Sequence, residues 1–369
     1  MDSAPPPPPG RPRRALAAAA GLLALAGCAG AGPDPAASPE PAPARALTMA
    51  FGGDVMFEAH LAPLAEDPDS LAELAGTLGA ADLSVVNLET AVTRGGGAPI
   101  PGKPFTFRTG PGALDALAGA GVDAVSLANN HAADHGAAGL AETLAIRRDS
   151  PIPMAGIGRD AAEAYAPVTL AAGGARVALL AGNDLVEETT AYHTAGESTP
   201  GIAATATEAG RARLAEAVTA AKRTHDLVVV MMHGGIEGTH CPGEHLIGTV
   251  DALAAAGADA VIAAHNHRVA GRGWVGDTYV HYGLGNFVYY LNRGEAGHTG
   301  VLTLDVEIPA GDAPAAERDR PRVTGARWTP MRIGGDGIPR PADAADAAHL
   351  AALADSYREC TPATADHGG

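Results

Sequence analysis

The sequence predicts an α/β sandwich in which helices flank two sheets, with one domain over about residues 46–335. From residue 47, short apolar runs alternate with stretches of helical period. That alternation is typical of βαβ units and a largely parallel sheet covered on both faces. After residue 272, β-rich stretches follow one another without a helix between them, which predicts antiparallel strands that complete a second sheet.

The individual elements can be placed along the chain from the same patterns. Apolar runs predict strands at 47–51, 83–87, 122–131, 175–183, 226–233, 258–265, 276–290, 300–309 and 328–333. Helical spacing predicts helices at 69–78, 111–120, 135–148, 207–224, 243–257 and 345–360. These elements define a folded domain at 47–335, and we expect a C-terminal helix and tail at 336–369.

The first residues look like a targeting segment rather than part of the fold. Arginines at positions 11, 13 and 14 precede an apolar stretch at 15–27, which is too short to span a bilayer. The stretch runs into LAGC, which resembles a bacterial lipobox and predicts a lipoprotein signal peptide at 1–27. Cys28 would then carry a lipid and hold the protein at the outer face of the cytoplasmic membrane. The alternative is a plain secretory signal with an incidental cysteine.

Three further features of the sequence carry expectations about the tether, the binding partners and the redox compartment. Residues 28–46 are rich in Ala, Pro and Gly, without hydrophobic period, and predict a tether. The net charge of −17 argues against a nucleic-acid partner, which would require clusters of Lys and Arg. Export would make a bridge between Cys241 and Cys360 possible, and two unrelated thiols are the alternative.

Metal-binding residue types follow the ends of the predicted strands. They are Asp54, then Asn87 and Glu89, then Asn129, Asn130 and His131, then His233 and Glu237, and last His265 and His267. Because an open α/β sheet builds its site at the carboxyl edge of the strands, these side chains should meet. Carboxylate, amide and imidazole groups suit Mn, Fe, Zn or Ca. Two divalent ions about 3.5–4 Å apart would need a bridging carboxylate and would activate water.

Six segments in order carry a resemblance to a known family. FGGDVMF, NLET, SLANNHAADHG, MMHGGIE, AAHNHRV and YGLGNFVY resemble the poly-γ-glutamate capsule-synthesis (CapA-type) family of the calcineurin-like metallophosphoesterase superfamily. The resemblance covers about residues 47–335. It implies a four-layer α/β/β/α sandwich of the metallophosphoesterase type.

The resemblance also implies a function in making, exporting or anchoring poly-γ-glutamate or a similar envelope polymer. The expected partners are the membrane, through the lipid anchor, and the machinery of polymer synthesis. The expected substrate is an anionic polymer or a phosphoester, which a metal-dependent hydrolase would cleave. The alternative is a catalytically degenerate module that binds metal and carboxylates during assembly.

The family's residue roles can be carried over position by position. Asp54 corresponds to the first aspartate ligand and Glu89 to the bridging carboxylate. Asn130 corresponds to the amide ligand. His233 and His265 would bind one ion, and His267 the other. His131 corresponds to the proton donor for the leaving group, and Asp134 would orient its ring.

The chain departs from the wider superfamily at one ligand. The first superfamily motif is Asp-x-His, and Met56 stands at the histidine position. His60, Asn87 and Glu237 are candidates to compensate. The missing histidine favours the degenerate module, whereas the Asn130-His131 pair favours an enzyme.

Two further segments are considered for binding. Lys103 and Arg108 flank a β-like stretch and would suit an anionic substrate; a solvated hairpin is the alternative. Gly283, Gly285 and Asn286 are expected to shape a tight structural turn, because Gly permits positive φ.

Overall fold

The computed structural model describes residues 44–187, 192–309 and 321–367. Strands and helices alternate through the first two thirds of these residues, and the predicted α/β class is confirmed. The expected signal peptide, Cys28 and nearly all of the expected tether lie outside the described residues. Within the described ranges, no helix combines the length and the apolar character needed to cross a membrane.

The described elements have the following bounds. The strands are β1 Arg45–Val55, β2 Leu83–Leu88, β3 Ala91–Val92, β4 Arg108–Thr109, β5 Ala124–Ser126, β6 Met154–Ala155, β7 Ile157–Gly158, β8 Val168–Ala172, β9 Ala175–Asn183, β10 Gly201–Ile202, β11 Leu227–Gly234, β12 Ala260–His265, β13 Arg272–Val275, β14 Thr278–His281, β15 Asn286–Val288, β16 His298–Ile308, β17 Arg322–Ile333 and β18 Pro339–Pro341. The helices are α1 Gly112–Gly119, α2 Gly136–Ile146, α3 Ala161–Ala164, α4 Glu208–Ala221, α5 Gly243–Ala255 and α6 Ala344–Ser356. Short 3-10 turns lie at Ala59–Glu66, Ala72–Gly76, Gly294–Gly297 and Tyr357–Cys360.

Two large sheets organise the described residues. The first has the strand order β18-β17-β16-β1-β2-β5-β6, with β15 also paired to β1. The second has the order β13-β14-β12-β11-β9-β8. Parallel pairing joins β1, β2 and β5 in the first sheet and β9, β11 and β12 in the second. Each sheet therefore collects several carboxyl strand ends at one edge.

The β-rich end of the chain differs from the prediction of antiparallel strands in a second sheet. β13 and β14 extend the second sheet, whereas β16 pairs antiparallel with β1, and β17 pairs antiparallel with β16, so that both extend the first sheet. Moreover, β14 pairs parallel to β12, and β15 pairs parallel to β1. A run of β-type residues shows that strands form, but their partners are fixed by where the chain passes from one sheet to the other.

Buried side chains hold the two sheets together. Alternating residues of the first sheet, such as Met49 and Phe51, share one apolar cluster with Val229, Met231 and Ile262 of the second sheet. Side chains on a strand alternate between faces, so the same strands also present apolar groups outward. Each large apolar side chain buried in this way contributes about 1.5–3 kcal/mol.

Helices cover the outward faces. Leu114 and Leu117 of α1 pack in one cluster with Val86 of the first sheet. Leu214 of α4 and Leu246 of α5 pack in another cluster that contains strand residues of the second sheet. These contacts fix the strands whose ends carry the polar residues.

The predicted helix at 69–78 forms only a 3-10 turn, Ala72–Gly76. Leu71, Leu74 and Leu78 are buried as the pattern requires. Spacings of three and four fit both helix types, so periodicity alone does not separate them. No side chain caps the start of the turn, which leaves little to extend it into an α-helix.

Candidate metal centre

The structure brings the six predicted ligands together at the facing carboxyl ends of the two sheets. Asp54 lies near the end of β1, and Glu89 follows β2 directly. The other four candidate ligands lie at or beyond the ends of β5, β11 and β12. They are Asn130, His233, His265 and His267.

The first ligand group, called here the inner group, consists of Glu89, His233 and His265. One ligand atom from each lies within 4.8 Å of the others, and all three residues are buried. The amide oxygen Oδ1 of Asn130 lies 2.8 Å from His233 Nε2, which places a fourth donor beside the group. This donor set matches the ligands expected for one divalent ion.

The second ligand group, called here the outer group, consists of Asp54, Glu89 and His267. Its ligand atoms also lie within 4.8 Å of one another, and His267 is only partly buried. Asp54 Oδ2 lies 3.4 Å from His267 Nδ1. Glu89 belongs to both groups and is therefore placed as a bridging carboxylate would be.

Glu89 provides the clearest test of whether cations fit the site. It is fully buried, and both carboxylate oxygens have no hydrogen-bond partner among the described residues. Burial, followed by the charge of Asp54, raises the pKa of Glu89 well above 4.5. A buried carboxylate without hydrogen bonds is costly unless a cation pairs with it. The residues present therefore fit a pair of divalent ions.

The histidines of the two groups have opposite electrostatic character. Burial lowers the pKa of His233 well below 6.5 and lowers that of His265 to about 3. Burial alone would also lower the pKa of His267, but Glu89 and Asp54 raise it to about 9. The imidazoles of His233 and His265 are therefore neutral, as coordination of a metal ion requires. The His267 ring instead pairs with carboxylates.

The backbone around these ligands is unusual. His265 has φ 106° and His267 has φ 53°, values that are uncommon for residues with a side chain. The backbone N–H of His265 donates to Asp54 Oδ2 over 3.1 Å. Such conformations cluster at functional sites, where surrounding contacts hold them.

His131 and Asp134 form a buried pair beside the ligands. His131 Nδ1 lies 2.7 Å from Asp134 Oδ2, and Phe107 stacks on the imidazole with ring centroids 4.1 Å apart. Burial lowers the pKa of His131, and the hydrogen bond with Asp134 opposes that shift. Because Asp134 occupies Nδ1, Nε2 is the ring atom that would exchange a proton with a substrate.

Lys103 and Arg108, predicted to bind substrate, have different surroundings. The Lys103 side chain is only 3% exposed, and its ammonium donates to Asp134 Oδ1 at 2.7 Å and to Asn130 O at 2.6 Å. Lys103 thus supports the residues next to the site. The Arg108 side chain is exposed, and its strand β4 pairs parallel with β3.

Met56 and its three candidate substitutes have distinct positions. Met56 is fully buried in an apolar cluster. His60 is exposed. Asn87 Nδ2 lies 2.8 Å from Asp54 Oδ1 and 3.1 Å from His233 Nδ1. Glu237 Oε1 lies 3.9 Å from His267 Nε2, so both Asn87 and Glu237 border the ligands.

Asn286 has a role that the expectation of a structural turn did not include. Its Oδ1 lies 2.8 Å from His267 Nδ1, and its Nδ2 donates to Ala296 O over 3.0 Å. It therefore orients the ring of an outer ligand, as partners behind metal-binding histidines commonly do. In the sequence, the feature that could have indicated this role is the position of Asn286 directly before the apolar run FVYY at 287–290.

A disulfide ties the chain end to the site. Cys241 and Cys360 are bonded, with a Cα–Cα distance of 5.5 Å. His240, the preceding residue, stacks on Tyr357 with ring centroids 3.9 Å apart. The loop after β11, which carries Glu237, is thereby joined to the segment after α6.

A family model and two curated proteins are similar to this chain in sequence. The family model described as "Bacterial capsule synthesis protein PGA_cap" matches residues 48–290. "PGA biosynthesis protein CapA" of Bacillus subtilis (strain 168) is 26% identical over 279 residues, covering 70% of this chain and 72% of that protein. "Capsule biosynthesis protein CapA" of Bacillus anthracis is 29% identical over 176 residues. That match spans 48% of this chain and 42% of the relative's length.

A solved structure is also similar. The crystal structure of a hypothetical protein from Thermus thermophilus has a TM-score of 0.41 and 18% sequence identity, over 78% of this chain and 99% of that one. The family match, in contrast, covers every ligand of the inner and outer groups. The chain belongs to the PGA_cap family of bacterial capsule synthesis proteins.

Proposed function

We propose that this protein takes part in the synthesis, export or anchoring of poly-γ-glutamate or a similar anionic envelope polymer. Its site would hold two divalent ions, of Mn, Fe, Zn or Ca, and act as a metal-dependent hydrolase. The observation that carries the proposal is Glu89, a buried carboxylate without hydrogen bonds that two ligand groups share. The names of the two Bacillus relatives support the polymer class.

The residues suggest how hydrolysis would proceed. When bound, the ions would polarise the scissile phosphoryl or carbonyl group and activate water. In its doubly protonated form, His131 would give the Nε2 proton to the leaving group, while its Nδ1 proton stays bonded to Asp134. Lys103 and the backbone N–H of Phe107 donate to Asp134 and so fix its carboxylate.

The charge of the chain limits how an anionic polymer would bind. A net charge of −17 repels a polyanion over most of the surface. Attraction would therefore come from the ions, to which substrate carboxylates or phosphates could coordinate. We expect polymer binding to require metal.

The proposed location is the outer face of the cytoplasmic membrane, through a lipid on Cys28. The support is the arginine-rich start, the apolar stretch and LAGC in the sequence. From there the protein would meet the machinery that makes the polymer. Cys28→Ala should leave the precursor unprocessed or release the protein; unchanged retention without a mass difference would contradict the anchor.

A second candidate function is metal-dependent carboxylate binding without hydrolysis. Met56 favours it, since an apolar residue buried in the core stands where the superfamily motif has a histidine ligand. In that case the site would hold polymer carboxylates during assembly, and His131 would have no chemical role.

The two candidates can be separated with soluble protein that begins at Arg45. Metal content would be measured by elemental analysis, and hydrolysis with a generic phosphodiester and with poly-γ-glutamate. Bound ions with turnover that His131→Ala abolishes would support the hydrolase. Bound ions with metal-dependent polymer binding but no turnover would support the binding module. Protein that takes up no ions would contradict both.

A further inference from the structure

The loop between β11 and α5, residues 235–242, lies against the outer group. Its Glu237 carboxylate has Oε1 3.9 Å from His267 Nε2, and this side chain is 67% exposed. Among the described residues, the Glu237 carboxylate makes this contact with His267 and no other hydrogen bond or ion pair. The carboxylate is thus at the open side of the outer group.

The inner and outer groups differ in the number of donors they supply. Asn130 adds a fourth donor to the inner group. The outer group offers Asp54, Glu89 and His267, and Met56 is buried in the apolar cluster instead of adding a nitrogen ligand. Divalent ions in such sites take four or more ligands, so the outer position has room for one more donor, from the protein or from water.

The loop is fixed at the residues that surround His267. Gly238 N donates to Asn266 O over 2.9 Å, and Asn266 Nδ2 donates to Thr239 O over 3.0 Å. Cys241 adds the disulfide to Cys360. Asn266 lies between His265 and His267, so the loop backbone is tied to the ligand segment itself.

Glycines flank Glu237 closely. Gly235 has φ 109° and Gly238 has φ 74°, conformations that favour glycine and make the sharp path of the loop possible. This path brings the chain back over the site immediately after β11. An exposed glutamate here needs only a change of side-chain rotamer to move its carboxylate by a few ångströms.

We infer that Glu237 is an additional ligand of the ion held by the outer group, supplying the donor that Met56 does not. The inference rests on the proposed two-ion site. It assigns the loop after β11 a direct part in metal binding, and it makes the second ion depend on a surface loop. A carboxylate in place of an imidazole also adds one negative charge to the outer position.

The test compares the protein that begins at Arg45 with its Glu237→Gln variant, both titrated with Mn²⁺ by calorimetry. Wild type should bind two ions. Glu237→Gln should keep one ion at unchanged affinity and bind the second at least about tenfold more weakly. Glu244→Gln is the matched control, because Glu244 is another exposed glutamate seven positions along the chain and should retain both ions.

Electron paramagnetic resonance of the same samples provides a readout independent of catalysis. A spin-coupled Mn²⁺ pair in wild type should be replaced by the signal of a single ion in Glu237→Gln at limiting metal. Wild type with one ion or none would refute the two-ion proposal itself. Two ions in wild type, with equal affinities in Glu237→Gln, would overturn the assignment of Glu237 alone.

Discussion

The inner and outer groups share Glu89 but are built differently. The inner histidines end two parallel strands, β11 and β12, and both are buried. The outer group takes His267 from a turn after β12. Its ring is oriented by Asn286, and its open side faces an exposed loop. In the proposed two-ion site, a sheet would thus preorganise one ion position and loops would complete the other, so the two positions should differ in affinity and exchange.

The largest expected effect is on the inner group. His233→Ala removes a ligand whose ring lies near Glu89, Asn130 and Asp54 at once. We expect it to lose the tightly bound ion and all activity, as measured by elemental analysis after gel filtration. His267→Ala should lose only the weaker ion. If the two variants retain the same ions with the same affinities, the distinction between the groups is wrong.

A second substitution separates binding from chemistry. His131→Ala removes the proposed proton donor but no ligand, so turnover should fall about 10²- to 10⁴-fold while metal content stays unchanged. Steady-state kinetics and elemental analysis on one preparation would show both. Loss of metal in this variant would mean that His131 is a ligand, and normal turnover would remove it from the chemistry.

The disulfide offers a way to perturb the outer group alone. Replacing both cysteines, Cys241→Ser with Cys360→Ser, opens a link across 119 residues and should cost about 2–4 kcal/mol of unfolding free energy. Because Cys241 lies four residues from Glu237, the weaker ion should bind less tightly, and the tighter ion should not change. Calorimetric titration would detect this, and equal weakening of both ions would contradict it.

The smallest effect concerns pH in chelator-treated protein. The pKa of His265 is about 3 when folded and 6.5 when unfolded, so its contribution to stability is present above pH 6.5 and is lost as the pH falls. That loss amounts to at most about 2 kcal/mol between about pH 7 and about pH 5. His267, with a pKa of about 9, contributes below pH 6.5, and its contribution is lost as the pH rises through 9.

Denaturant unfolding at several pH values would test these opposite signs. His265→Gln should flatten the acid side of the profile, and His267→Gln should flatten the alkaline side. His349→Gln is a control at an exposed histidine and should alter neither side. Profiles that change on the same side in both variants would contradict the assigned directions.

The sequence alone was enough to predict which residues come together in the candidate site, because they obey one geometric rule. Asp54, Glu89, His233 and His265 each lie at or just beyond a strand's carboxyl end, and parallel pairing gathers such ends. The long apolar runs at β9, β11 and β12 made these strands predictable from sequence. The same reasoning gave the α/β class, since both sheets arise from alternating apolar runs and helices.

Other features depend on contacts that periodicity does not encode. Lys103, which the sequence suggested for substrate binding or for a solvated hairpin, is instead buried against Asp134, 31 positions along the chain. The role of Asn286 follows from the register of β15 beside β1, where it is the partner of Asp54. After residue 272 the chain contributes strands to both sheets. Which sheet each strand joins likewise depends on packing rather than on local composition.

Two glycines link the first ligand motif to the turn before β15. A Cβ on Gly53 would lie 1.8 Å from Gly285 O, and that carbonyl accepts a hydrogen bond of 3.0 Å from Asp54 N. Gly285 itself has φ 75°. For protein engineering, GGD and GLGNF are therefore one inseparable unit. Libraries that diversify the site should vary its loops and keep both glycines, and chimeras between homologues should exchange the two segments together.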